Sequence, residues 1–237
     1  MSSTLARIFT GDLAIVAGML AQADDPRETI AGTDLLDADV LGALIARFAR
    51  NYAEPERRAV ASQWSKWHFS TLLTPFLAAS LVANHRMPTA LADLDIVLSP
   101  DGRTTALRLR HEGDAIGPAD AFDRFEPLLT DHLEPVITAL AAASGIAPRV
   151  LWSNAGNIFE QVLQRLKAAL GPDHPAIAET VELLDTRKWR DGRPNRLFEP
   201  VRYRKVGADL KRQRRVCCIR YLIPSLDYCK TCPLDRP

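Results

Sequence analysis

The first 216 of the 237 residues contain no cysteine. That excludes a disulfide-stapled secreted scaffold, which spreads its cysteines to tie distant segments together. Residues 1–14 lack a basic region followed by an apolar block and a small-residue cleavage site, so no secretory signal is expected. No stretch approaches the roughly 18 uninterrupted apolar residues of a spanning helix. A phosphate-cradling glycine-rich loop, a dinucleotide fingerprint and a nucleophile elbow are missing too. Electrons from a nicotinamide or flavin would therefore have to arrive through another protein. The expectation is a soluble, cytoplasmic chain with enough residues for one large domain or two small ones.

What is present is unevenly distributed. The chain is close to neutral, yet from Arg187 to Arg220 it carries 13 Lys/Arg against three acids, Asp191, Glu199 and Asp209. Like charges this dense repel one another, so the segment is expected on a surface that attracts an anionic partner. All four cysteines, Cys217, Cys218, Cys229 and Cys232, lie in the last 21 residues. Clustered in this way, they point to metal or redox chemistry.

Before that tail the periodicity is mostly helical. Leu13, Val16 and Leu20 share a helical face, as do Leu41, Leu44, Ile45 and Phe48 after the capping candidates Thr33 and Asp34. Residues 56–82 predict a further helix interrupted near Pro75. Two short alternating runs, 94–98 and 104–110, flank Ser99-Pro100-Asp101-Gly102 and predict a hairpin, because Pro presets one turn dihedral and Gly takes the positive one. Helix is expected again over about 120–143, broken or kinked at Pro127 and Pro135. Asn154 predicts the cap of a helix running to Leu170, with Ile158, Phe159, Val162 and Leu163 on one face and Gly171 at its end. Another helix is expected over 173–186. From Trp189 the pattern weakens, and Pro194, Pro200, Gly207, Pro224 and Pro233 predict loops and short pieces.

The cysteine pattern is Cys-Cys, ten intervening residues, then Cys-x-x-Cys and Pro233. Four thiolates suit tetrahedral iron or zinc, and Cys-x-x-Cys gives two ligands to one site. Neighbouring side chains of an extended strand face opposite ways, so Cys217 and Cys218 can serve one centre only where the backbone is helical or turned. Structural zinc sites usually use two Cys-x-x-Cys-like knuckles, which a vicinal pair is not. The surrounding basic residues would keep thiolates deprotonated and offset the charge of a cluster. The residues alone leave an iron–sulfur cluster, a zinc site and a thiol/disulfide centre open.

Arg215-Val-Cys-Cys-Ile-Arg-Tyr221 with Tyr228-Cys-Lys-Thr-Cys-Pro-Leu234 resembles the C-terminal signature of the FhuF-like ferric-siderophore reductases. Leu151-Trp-Ser-Asn-Ala155 and Pro200-Val-Arg-Tyr203 are similar to internal landmarks of that family, and residues 64–79 more weakly so. The resemblance implies a 2Fe–2S cluster on Cys217, Cys218, Cys229 and Cys232, serving as an iron–sulfur oxidoreductase centre. It further implies one-electron reduction of ferric iron in an imported, hydroxamate-type siderophore, releasing ferrous iron in the cytoplasm. Such an enzyme would need an external electron donor, ferredoxin-like or flavin-reductase-like. Arg214, Arg215 and Arg220 would raise the cluster's potential by favouring its reduced, more negative state, or dock a partner.

The expected architecture is α+β, predominantly helical with a small antiparallel sheet and an irregular C-terminal cluster-binding segment. Residues 1–200 would form the scaffold and substrate-binding region, and residues 201–237 the basic cluster segment, packed together as one domain. Trp152 and Asn154 are candidates to line a chelate site, against the blander assignment of a buried aromatic and a helix cap. His68 is read as a core-edge histidine, and the remaining histidines lack ligand spacing. The basic stretch 205–215 reads either as a solvated helix face or as a dock for an acidic donor, an anionic siderophore or the inner face of the cytoplasmic membrane. No nucleic-acid partner is expected, since no recognised fold motif supports one. The rival overall reading is a non-enzymatic, zinc-stapled module that binds nucleic acid or an acidic protein through this tail.

Overall fold

The structure, a computed structural model, describes residues 3–207 and 209–234. The chain opens with the short helices α1 (Ser3–Ile8) and α2 (Ala14–Ala17), then strand β1 (Thr29–Ala31). Helix α3 (Ala38–Ala49) buries Leu41, Leu44, Ile45 and Phe48 as the spacing predicts. Its cap is Asp37, whose carboxylate accepts from the Asp39 and Val40 amides, rather than Thr33 or Asp34. Those two sit in a preceding 3-10 turn, Gly32–Leu36.

Helix α4 (Arg57–Ala83) follows and is the axis of the molecule. It runs through Pro75 without interruption. A proline here forfeits one backbone bond, and burial on nearly every side of α4 outweighs that loss. After β2 (His85–Arg86) come β3 (Leu94–Leu98) and β4 (Thr104–Leu109), the predicted hairpin, with Gly102 at φ 81° in its turn. Strand β1 pairs with β3, giving the antiparallel order β1-β3-β4, while β2 pairs separately with β5 (Asp114–Ala115). Trp64 of α4 donates its indole N–H to the Gly102 carbonyl at 2.8 Å, fastening the hairpin to the axis.

Helix α5 (Ala121–Leu128) contains Pro127, one π turn spans Leu129–Leu133, and α6 (Glu134–Ser144) resumes with Pro135 in its first turn. The expected break is thus a change of helical pitch. Helix α7 (Pro148–Leu170) starts six residues before the predicted cap, with proline at its first position where no donor is needed. Helix α8 (Pro175–Asp185) packs beside it. The basic stretch, expected as loop or helix face, is instead an antiparallel ribbon of β6 (Val201–Val206) and β7 (Asp209–Arg214).

Helices α4 and α7 pack along one another, and the ribbon base lies against α7. Gly156 makes the second contact possible. A Cβ there would stand 2.8 Å from the Pro200 Cβ, so only glycine lets the ribbon enter at this height. The cysteine segment then closes over α4, with Cys218 and Ile223 fully buried. Among the described residues, no helix is long and apolar enough to cross a membrane.

Candidate metal centre

Strand β7 ends at Arg214, and the chain leaves extended geometry immediately before the vicinal cysteines. Ile219 holds the left-handed conformation at φ 51°, and its amide donates back to the Cys217 sulfur at 3.3 Å. This is the turned backbone that the vicinal pair requires. The second half is a tight turn in which the Cys232 amide donates to the Cys229 carbonyl at 2.9 Å. Two bonds join the halves: Arg214 N–H to the Thr231 carbonyl at 2.9 Å, and the Gln213 side-chain amide to the Cys232 carbonyl at 3.2 Å.

All four thiols are free, with Cys218 and Cys232 buried and Cys217 and Cys229 half-buried. Their sulfurs form two pairs, Cys217–Cys232 at 3.9 Å and Cys218–Cys229 at 3.8 Å. Two thiolates on one tetrahedral metal, with metal–sulfur bonds of about 2.3 Å, lie roughly 3.8 Å apart. Both pairs therefore have the separation of two ligands on one ion. Among the described residues no three His, Cys, Asp or Glu side chains gather around a single point. The arrangement is two pairs, not a mononuclear quartet.

A buried polar layer supports the segment from below. Asn154 of α7 is fully buried and donates to Ser62 and Ser65 of α4 at 3.0 Å each. Its carbonyl oxygen accepts from the Arg214 guanidinium at 2.5 Å. Ser62 donates to the Cys218 carbonyl at 2.7 Å, and Ser153 to the Val216 carbonyl at 3.2 Å. Each bond anchors backbone on one side or the other of Cys217. A buried layer of hydrogen bonds like this one holds the backbone above it in one geometry.

The charges favour an anionic centre. Arg214 is 3% exposed and faces Cys217, Cys218 and Cys229. Lys66, missed in the sequence, lies against Cys218 and donates to the Gln63 side chain at 3.0 Å. Burial lowers the Lys66 pKa, and the nearby Cys218 opposes that shift. The Cys218 thiol is pulled down to about 4, first by its bond to Cys229 and then by Lys66 and Arg214. Cys229 moves the other way, because a thiolate beside it and burial both hold its proton. Burial pushes Cys217 up to about 11. Meanwhile, among the described residues, Arg214 Nε and the Nε2 of Gln63, the partner of Lys66, are buried donors without an acceptor. Thiolate ligands and the sulfides of a 2Fe–2S group supply acceptors and negative charge at such a place. The residues present fit that group.

The remaining sequence candidates separate. Trp152 lines a cleft beside Val216. Asn154 does not line that cleft; it lies mid-helix, bound into the polar layer, and caps nothing. Arg215 is on the surface, paired with Glu199 at 3.0 Å. Arg220 begins a 3-10 turn, and its backbone hydrogen-bonds Cys218. His68 is fully buried, not at the core edge, and meets His132 through their Nε2 atoms at 3.0 Å. Tyr203, exposed in the ribbon, donates to Glu160, which also binds Arg212. The missed residues had a signal: Ser62, Gln63, Ser65 and Lys66 form a polar cluster within a helix buried along most of its length, and Glu160 interrupts the apolar face of α7.

Comparison with known proteins agrees with this geometry. The family described as ferric iron reductase FhuF-like transporter matches residues 62–209, and the FhuF 2Fe-2S C-terminal domain matches residues 214–234. The ferric siderophore reductase of Escherichia coli (strain K12) is 26% identical over 182 residues, covering 76% of this chain and 67% of that protein. Among solved structures, ATP-bound aerobactin synthetase IucA from a hypervirulent pathotype of Klebsiella pneumoniae aligns with a TM-score of 0.62 at 15% identity. That alignment covers 82% of this chain and 47% of the synthetase chain, so the present chain spans about half of that protein, and the likeness is one of fold. With both family regions matched in order along one chain, this protein belongs to the FhuF-like ferric iron reductases, iron–sulfur enzymes whose C-terminal domain carries a 2Fe–2S cluster.

Proposed function

We propose that Cys217, Cys218, Cys229 and Cys232 are the cluster ligands, and that the protein reduces ferric iron held by an imported siderophore. The observation that carries this reading is the pair of sulfur–sulfur separations, 3.9 and 3.8 Å, beside buried donors that lack acceptors. On this reading Cys217 and Cys232 share one iron, and Cys218 and Cys229 the other. When bound, a 2Fe–2S cluster supplies single electrons. One electron suffices: hard oxygen donors hold ferric iron tightly and ferrous iron far less well, so the metal leaves with its chelator intact. Hydroxamate chelates are the class that the family resemblance implies.

The chain's own groups have defined tasks. Arg214 and Lys66 place fixed positive charge against the sulfurs and favour the more negative, reduced state. Ser62 and Ser153 hold the backbone on either side of the vicinal pair. Half-burial of Cys217 and Cys229 keeps the centre near the surface, open to both a bulky chelate and an electron-donor protein. The donor partner and the cytoplasmic location belong to this proposal, as does docking of the donor on the basic ribbon.

The test is spectroscopic and kinetic. Anaerobically purified protein should be reddish-brown with stoichiometric iron and sulfide, and replacing any one cysteine with serine should alter its visible spectrum. A variant with an unaltered spectrum removes that residue from the ligand set. Reduced protein mixed with a ferric trihydroxamate should yield ferrous iron, captured by a chromogenic chelator. A loaded, reduced protein that transfers no electron to any ferric siderophore overturns the substrate assignment.

A further inference from the structure

A cleft of 640 Å³ opens beside the cysteine segment, within the size range of small-molecule sites. Val216 forms part of its wall and directly precedes Cys217, so the cleft borders the cysteine segment. Trp152 lies in the wall too, and the next residue, Ser153, holds the Val216 carbonyl. Phe198 supplies a second aromatic ring, giving apolar surface for a bulky organic chelate.

The charge of the wall is the informative part. Four arginines line it, Arg149, Arg196, Arg202 and Arg215, against two glutamates. Glu199 is committed to Arg215 at 3.0 Å. Arg149, Arg196 and Arg202 are exposed and have no carboxylate partner among the described residues, while Glu134 alone faces them as an unpaired acid. Helix α7 also begins here, with no side chain capping its first amides, and adds the partial positive charge of its N-terminus. A concave wall lined by one sign of charge concentrates ligands of the other sign. A ferric trihydroxamate is neutral, because three anionic donors balance the metal. It would use the two rings and leave the arginines unspent.

Resting on the reductase reading, we infer that this cleft is the chelate site and that it selects siderophores bearing net negative charge, from carboxylates beyond the iron-binding groups. The arginines pair with those carboxylates, and the rings cover the organic frame. The same wall suits the product of the reaction, since each electron accepted makes the chelate one unit more negative.

One ligand series tests this. A linear trihydroxamate with its terminal amine free, acetylated or succinylated forms cationic, neutral and anionic chelates of nearly constant shape. Their gallium complexes are not reduced, so calorimetric titration of cluster-loaded protein reads binding alone. The anionic complex should bind about tenfold tighter than the neutral one and the cationic complex weakest. Arg196→Gln with Arg202→Gln should compress the series to within about twofold. Arg165→Gln, on an exposed face of α7 outside the cleft, should preserve the order. Equal binding of the three complexes, or an unchanged order in the cleft variant, overturns the inference, as does compression by Arg165→Gln. Metal-free succinylated ligand and free citrate separate chelate recognition from simple carboxylate binding; equal affinity for either also counts against it. The ferric forms distinguish the two readings. Reduction of all three at similar rates defeats charge selection and leaves the reductase standing, whereas no reduction of any defeats the reductase reading itself.

Discussion

At the scale of single residues, Asn154 carries more of the centre than its place in a helix suggests. Its amide group joins Ser62 and Ser65 of α4 to Arg214 of β7, and all of these groups are buried. Asn154→Ala would leave the Arg214 charge without its strongest neutral acceptor in a site that water does not reach. Truncating one partner of a buried charged bond costs about 3 kcal/mol. Urea unfolding followed by circular dichroism should show a loss of that order, and a change below about 0.5 kcal/mol would mean the network contributes nothing. The landmark Leu151-Trp-Ser-Asn-Ala155 thus has a physical reason at three of its positions. Trp152 faces the cleft, Ser153 holds the Val216 carbonyl, and Asn154 holds Arg214.

At the scale of elements, the basic ribbon is tied to α7 through one carboxylate. Glu160 is 3% exposed and accepts from the Tyr203 hydroxyl and the Arg212 guanidinium, both at 2.5 Å. Burial, and then the Glu160 carboxylate, push the Tyr203 hydroxyl up to about 12. The sign follows from which form the fold prefers. A folded pKa raised above about 10 means that folding favours the protonated phenol, so this contribution is intact below about pH 10 and lost as pH rises through about 12. Alkaline melting curves should therefore lose stability across that window, and Tyr203→Phe should remove that part of the slope. An identical slope in the variant would show that the Tyr203–Glu160 bond contributes nothing to it.

At the scale of the whole molecule, the least expected feature is a pair of histidines in the core. His132 Nδ1 lies 3.0 Å from the Thr89 carbonyl, which only accepts, so its proton sits there. His68 then donates through Nε2 to His132 Nε2 and accepts from the Thr104 hydroxyl at 3.0 Å. Both rings are neutral: burial brings His132 down to about 4, and burial together with His132 takes His68 well below the usual range. In the unfolded chain both would bind protons from about pH 6.5 downward. Their contribution to stability is therefore present above about pH 6.5 and lost as pH falls through about 4, a loss on the order of 3 kcal/mol for His132. Melting temperatures recorded across that interval should fall. The double variant His68→Gln, His132→Gln should flatten the acid limb even if it is less stable at neutral pH.

Legibility in the sequence followed the range of the interactions involved. The β3–β4 hairpin was readable because its turn residues act within four positions, and the faces of α3 and α7 because periodicity is local. The unbroken course of α4 through Pro75 was not readable, since it depends on packing from elements far along the chain. The ribbon was missed because nearly all of β6 is exposed, so no alternation of burial marks it as a strand.

Four cysteines at short, fixed spacing determined by themselves that this chain carries a metal-binding or redox tail, because ligand chemistry resides in residue type and loop length. The basic run likewise marked a largely exposed, positively charged surface from charge alone. Only the tertiary structure decided that Cys217 stands with Cys232 and Cys218 with Cys229, and that Lys66, 151 positions upstream of Cys217, lies against Cys218. It also turned the basic run into two separate devices, a ribbon clamped on Glu160 and a wall of arginines around a cleft. The reason is geometric: which side chains share a space depends on how α4, α7 and the ribbon pack, and no short stretch of sequence contains all three.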